Sequence, residues 1–317
     1  MTCPYIFLMI DLSKLKTYPI SKRKSKVKHQ DFAEPPSKGI SFSDFYNSIP
    51  KILSGNSFRQ VVDAIISAYK KKKPVIVMMG SHVIKCGLNP VIIELIKKKI
   101  ITAVALNGSG AIHDFEIALI GKTSEDVEQA LEDGSFGMAK EIALYINGAI
   151  GEAVEREIGA GRAIGKVIEE EKMPFKNLSI LYNCVRQNIP ATVHIAIGTD
   201  IIHQHSSCSG ANLGEASLKD FHNFIEVASG LGDGGVVLNI GSSVILPEVF
   251  LKAINVARNL GYKVKDFTAC NFDMINHYRP YQNVVMRPIK SGGNGYTIIG
   301  YHEIMIPLLA QAVVERL

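Results

Sequence analysis

Two histidines one residue apart, His203 and His205, follow the pair Thr199-Asp200 just after an apolar run at 191–197. Imidazole gives and takes protons near neutral pH, so histidines beside an aspartate at a strand end have the composition of an acid/base site. In an extended segment, positions 203 and 205 point to one side. With His82 or His113 they also have the ligand types that Zn²⁺ takes. The acid/base reading is taken here, and no metal site is assigned. The competing reading is two ordinary polar loop residues. His194, inside the apolar run, reads as a hydrogen-bonded core histidine. Cys270 reads as a small buried residue rather than a nucleophile.

Four more segments have a similar setting. Gly80-Ser81-His82, Asn107-Gly108-Ser109-Gly110, Gly241-Ser242-Ser243 and Thr268-Ala269-Cys270-Asn271 each follow an apolar run. Glycine lets a backbone approach a ligand, and the start of the next helix offers free N–H groups to an anion. Such loops suit a pyrophosphate, although Gly and Ser also end strands for purely structural reasons. Neither GxGxxG after the first strand nor GxxxxGK[ST] is present, which argues against an ordinary Rossmann enzyme or a P-loop NTPase.

The elements that must position these loops alternate along the chain. Helical spacing is read at 57–72, 90–99, from Ala111, 124–130, 137–168 with a break at 159–161, 218–231, 247–260 and 303–314. Strands are read at 74–79, 100–106, 191–197, 235–240 and 262–269, with short ones at 283–286 and 296–299. The strands are apolar throughout, as burial on both faces requires. The expected fold is therefore α/β: a Rossmann-like, mostly parallel sheet with helices on both faces, whose ligands sit outside the carboxyl ends of the strands. Residues 1–40 are expected to form a basic arm, and 41–317 a single nucleotide-binding domain.

Composition narrows the classes. The 317 residues are 47% hydrophobic and 21% charged, with a net charge of +5. The excess is local, at Lys14, Lys16, Lys22, Arg23, Lys24, Lys26 and Lys28 and in the run from Lys70 to Lys73. It lacks the broad patch and interleaved aromatics of a nucleic-acid surface. Five scattered cysteines without a CxxC pair fit free thiols in a reducing compartment. The apolar stretch 5–10 is too short for a signal sequence, so a retained N-terminus, a cytoplasmic location and no membrane partner are expected.

The loops, taken in order over roughly residues 57–317, resemble the deoxyhypusine synthase family. Gly80-Ser81-His82 stands for that family's Thr-Ser-Asn turn. Asn107-Gly108-Ser109-Gly110 with Asp114 is similar to its Thr-Ala-Gly-Gly and following acidic residues. Thr199-Asp200 resembles its Thr-Asp-Gly-Ser, Ile240-Gly241-Ser242 its Gly-Gly-Gly, and Thr268-Ala269 with Arg279-Pro280 its Thr-Ala-Gln and Ala-Arg-Pro. The terminal Pro307-Leu308-Leu309 is similar to its closing helix. The resemblance implies NAD held in these loops, a homotetramer, and transfer of a butylamine group from spermidine through an active-site lysine.

The departures are specific. The family's lysine turn reads Ser291-Gly292-Gly293-Asn294 here, and an amide cannot form the imine. Lys290 precedes that turn. Gln282, His205 and Leu246 stand at positions where the family has acids and a histidine, and a polycation needs carboxylates. The expected function is thus a protein that binds NAD or a related nucleotide and acts on a small non-polyamine substrate. His203 or His205 serves as acid/base, and Asp114 and Asp200 reach the cofactor. The alternatives are a non-catalytic nucleotide-binding protein and a polyamine transferase using Lys290.

Overall fold

The computed structural model describes residues 10–317; the apolar stretch 5–10, except for Ile10, lies outside the described residues. Residues 10–40 form three 3₁₀ turns whose side chains are almost all exposed. Two backbone bonds, Glu34 to Ser48 and Lys51 to Asp31, tie this arm to the end of the first helix and the loop after it.

The body alternates strands with one or more helices. Helices α1 (Phe42–Ser48) and α2 (Leu53–Lys70) lead into β1 (Val75–Met79). Then come α3 (Ser81–Lys85), α4 (Asn89–Lys97), β2 (Ala103–Asn107) and α5 (Gly108–Ile120). Helices α6 (Val127–Asp133), α7 (Lys140–Glu155), α8 (Ala160–Glu170) and α9 (Ile180–Arg186) precede β3 (Ala191–His194). The second half runs α10 (Gly210–Ser229), β4 (Val236–Ile240), α11 (Ile245–Asn259) and β5 (Phe267–Asp273). A single turn, α12 (Tyr278–Pro280), enters a π-helix over Tyr281–Met286, followed by β6 (Gly293–Ile299) and α13 (His302–Val314).

All six strands pair in parallel, in the order β3-β2-β1-β4-β5-β6. The sheet is therefore wholly parallel, and β1, β2, β4 and β5 are buried on both faces, as their apolar runs require. Val77, Leu106, Leu238 and Phe272 face one core under α2, α4, α5, α7, α8 and α13. Met78, Ala105, Val237 and Ala269 face a second core under α10, α11 and the π-helix.

Several boundaries differ from the sequence reading. The strand expected at 262–269 is β5, displaced to Phe267–Asp273. Lys263 and Lys265 lie in a bend, and Asp266 takes a left-handed φ of +57°. The short strand expected at 283–286 is the π-helix, whose Val284 and Val285 are β-branched core residues. Helices α3 and α9 were not expected. Helix α13 packs on this chain's own sheet and α2, with Ile306, Leu309, Ala312 and Val313 buried and Ile304 exposed.

Candidate functional site at the carboxyl edge

The strand order makes a switch point. From β1 the chain moves outward through β2 to β3, and from β4 it moves the other way to β5 and β6. The loops leaving β1 and β4 therefore diverge, the place where open α/β sheets bind ligands. Here these loops touch. Gly80 N–H donates to Ile240 O at 3.0 Å, and a β-carbon at Gly80 would overlap the carbonyl of Gly241. Gly241 has φ +64°, and a β-carbon there would lie 2.6 Å from His302 Cε1. Asn239 Nδ2 donates to Ser242 O and Asn271 Oδ1, tying β4 to β5 beneath the loop. Ser242 Oγ accepts from Leu246 N–H at the start of α11, and Ser243 is half-buried beside it.

His302 carried no signal in the sequence, yet it belongs to this group. It begins α13 and is buried under Gly241, with its ring 5.7 Å from that of the exposed His82. Nε2 donates to Phe272 O at 3.3 Å, which leaves Nδ1 as a buried lone pair without a partner. Burial holds the imidazole below the ordinary histidine range.

One strand over, α5 starts directly from β2. Asn107 Oδ1 accepts from Gly110 N–H at 3.0 Å, an N-cap, while its Nδ2 donates to Ser109 Oγ. Asp200 folds over this start. Its Oδ2 is buried without a partner, and a β-carbon at Gly108 would overlap that oxygen. Burial pushes the Asp200 carboxyl up to about 6, with His113 pulling the other way. His113 is itself held, its Nδ1 3.1 Å from Glu116 Oε2 and 2.6 Å from Thr123 Oγ1. Burial opposes ionisation of Glu116, but the bonds from His113 and Thr123 hold its carboxyl below the usual range.

The two histidines of the loop do different things. The segment Ile201–Gln204 is a 3₁₀ turn, not an extended strand, so the rings do not share a side. His203 Nδ1 accepts from the backbone N–H of Gly198 at 3.0 Å and of Asp200 at 3.2 Å. Those bonds place the ring proton on Nε2, which is buried and unpartnered. Burial lowers its pKa. His203 is thus a fixed hydrogen-bond donor, and Asp200 is the group able to take a proton. His205 Nε2 donates to Gly137 O at 2.8 Å, pinning the loop before α7. Asn147 of α7 pins the other side, donating to Ile202 O and Ser207 Oγ. Thr199 is exposed and spends its hydroxyl on Ala196 O.

Other expected site residues lie elsewhere. Asp114 is wholly buried. It accepts from Ser179 Oγ, the N–H groups of Ile180 and Leu181, and Asn89 Nδ2, so it ties the start of α9 and cannot reach a ligand. Thr268 and Ala269 are the second and third residues of β5, at the amino edge, because the strand starts later than expected. Asn294 pairs beside Thr268, and Lys290 is exposed in the turn before β6, both at that same edge. Leu246 is a core residue of α11. Among the described residues no three His, Cys, Asp or Glu side chains are grouped as a metal site would need. None of their helices is long and apolar enough to cross a membrane.

No protein-family model matches this sequence, and no curated protein matches it. Solved structures do resemble the fold. A protein from Entamoeba histolytica assigned as a deoxyhypusine synthase superposes with a TM-score of 0.53 at 11% identity, over 88% of this chain and 94% of that one. Unliganded AgrE gives 0.52 at 16% identity, and AgrE in ternary complex with ornithine and NAD⁺ gives 0.51 at 15%. Each match covers 83% of this chain, which spans about a third of the AgrE length, 33%. At these identities the likeness is one of fold: a wholly parallel, helix-covered α/β sheet shared with deoxyhypusine-synthase-like and NAD-binding proteins.

Proposed function

We propose that this chain binds NAD or a related dinucleotide along its carboxyl edge and acts on a small substrate that is not a polyamine. One observation carries the reading. In a sheet of order 3-2-1-4-5-6, a buried carboxylate oxygen without a partner, Asp200 Oδ2, lies where β2 passes into α5. An acceptor in that position suits the hydroxyls of a ribose. A neighbour of the same fold, AgrE, has been solved with NAD⁺.

The fit is selective. Asp200 covers the start of α5 and disfavours a phosphate there, so a pyrophosphate suits the start of α11, beside Ser242 and Ser243. A bound nicotinamide would supply hydride transfer. The chain itself supplies a proton acceptor, Asp200, and a donor, His203 Nε2–H, and a donor does not anchor an ammonium. The homotetramer implied by the family resemblance is kept as part of this proposal. Transfer through Lys290 is not, since that side chain lies at the other edge.

Calorimetric titration of the purified chain with NAD, NADH and NADP tests the reading. Micromolar affinity for one of them is expected, with at least a tenfold loss in D200A. Absence of heat with all three would overturn it.

A further inference from the structure

A cavity of about 460 Å³ opens at the amino end of β3, remote from the carboxyl-edge loops. Its size falls in the range of small-molecule sites, about 300–1,000 Å³. Three helices and one strand enclose it. Arg162 of α8 and Glu226 of α10 both line it, as do Asn188 and Asn223. Apart from Thr192, whose hydroxyl is bonded to His194, the rest of the lining is largely apolar and includes Val185, Ile189 and Val227. Cys184 is buried in the floor, where burial pushes its thiol up and leaves it unreactive.

The charges are the informative part. Nearby arginines are neutralised within the fold: Arg156 pairs with Glu152 and Glu170, and Arg186 with Glu169. Arg162 and Glu226 line one cavity, yet no ion pair joins them to each other or to a third group among the described residues. A cation and an anion lining one cavity, together with two amides and aliphatic side chains, complement a molecule that carries both charges and an apolar body. A guanidinium suits a carboxylate through paired N–H groups, and a carboxylate suits an ammonium.

We propose that this cavity binds a small zwitterion, an amino acid with an aliphatic side chain. Its carboxylate meets Arg162, its ammonium meets Glu226, and its side chain packs on Val185, Ile189 and Val227. The site is independent of the dinucleotide reading, because none of its lining residues belongs to the carboxyl-edge loops.

The test is a thermal-shift screen of the full chain against the twenty free L-amino acids, followed by titration calorimetry. Valine, leucine or isoleucine is expected to raise Tm by a few degrees at saturating concentration. N-acetyl-L-leucine, which lacks the cation, and L-leucinamide, which lacks the carboxylate, are expected to leave it unchanged. R162A and E226Q should each weaken binding at least tenfold. Both side chains are exposed, so the variants should fold as the parent does, checked by circular dichroism. NAD titration of the same variants should match the parent, which separates this site from the other. The proposal fails if no amino acid shifts Tm, if either blocked derivative binds as well as leucine, or if binding survives in R162A and E226Q.

Discussion

Asp200 Oδ2 packs so closely on Gly108 that a β-carbon there would overlap it, so a side chain of this protein already calls for the glycine. The same holds at Gly80, which packs on Gly241 O, and at Gly241, which packs on His302. Glycine here lets neighbouring strand-end loops close on one another.

It follows that G108A should push Asp200 and its turn outward. A loss of about 1–3 kcal/mol is expected, the usual cost of overpacking. In a D200A background the same change should cost much less, because the overlapping group is gone. Urea denaturation of the four proteins measures the coupling. An equal cost in both backgrounds would mean that Gly108 serves another contact.

Asp114 is a structural anchor. Replacing it with alanine strips partners from Ser179, Ile180, Leu181 and Asn89 at once. Each buried donor left unsatisfied costs about 1–3 kcal/mol. D114A should therefore lose several kcal/mol in urea denaturation while the surviving folded fraction keeps its NAD affinity. A selective loss of NAD affinity at unchanged stability would contradict this assignment.

Asp220 predicts a pH dependence. It accepts from Gly161 N–H and Val193 N–H, both at 2.8 Å, and burial pushes its carboxyl up to about 7 against those bonds. A folded pKa above the unfolded value means that the native state holds the proton more tightly. The associated stability is present below about pH 4 and is lost as pH rises to about 7. D220N can keep both backbone bonds through its amide oxygen and has no charge to bury. Between pH 4 and 8 its Tm should decline less than that of the parent. His194 works in the opposite sense. Burial lowers it to about 3, so its contribution is present above about pH 6.5 and is lost as pH falls toward 3. Replacing His194 with glutamine should soften the acid limb, read by Tm between pH 3 and 7.

His203 should show one tautomer. Nitrogen NMR is expected to find Nδ1 as a hydrogen-bonded acceptor and Nε2 protonated, with titration below the ordinary histidine range. H203N can retain an acceptor for the two backbone N–H groups while losing the Nε2 donor. On a turned-over substrate it should lower kcat by roughly 10²-fold, with NAD affinity unchanged. H205A should cost only about 1 kcal/mol of stability, the value of its bond to Gly137. A larger kcat loss in H205A than in H203N would reverse these roles.

The sequence exposed the sheet because its strands are apolar on both faces, and runs such as Val75–Met79 have no other reading. It misplaced β5 for a related reason. Asn271 and Asp273 look like loop residues, yet both are buried within the strand, while Tyr262 and Val264 look strand-like and sit in a bend. The error moved Thr268 and Ala269 to the wrong edge. Asp200 and His203 stand out in the sequence because they follow an apolar run. His302 was missed because nothing local marks it; only the pairing of β6 with β5, which carries α13 back over the sheet, brings its ring under Gly241. Asp114 was misjudged because an acid near a helix start reads as exposed unless the facing α9 is known.

The two margins of the sheet are finished differently. Along β3, Asp220 and Ser217 of α10 take the outward N–H groups of Val193 and Ile195, so a visiting strand finds those donors already spent. Along β6, the sole strand neighbour among the described residues is β5. A sheet sealed on one side can be extended only on the other.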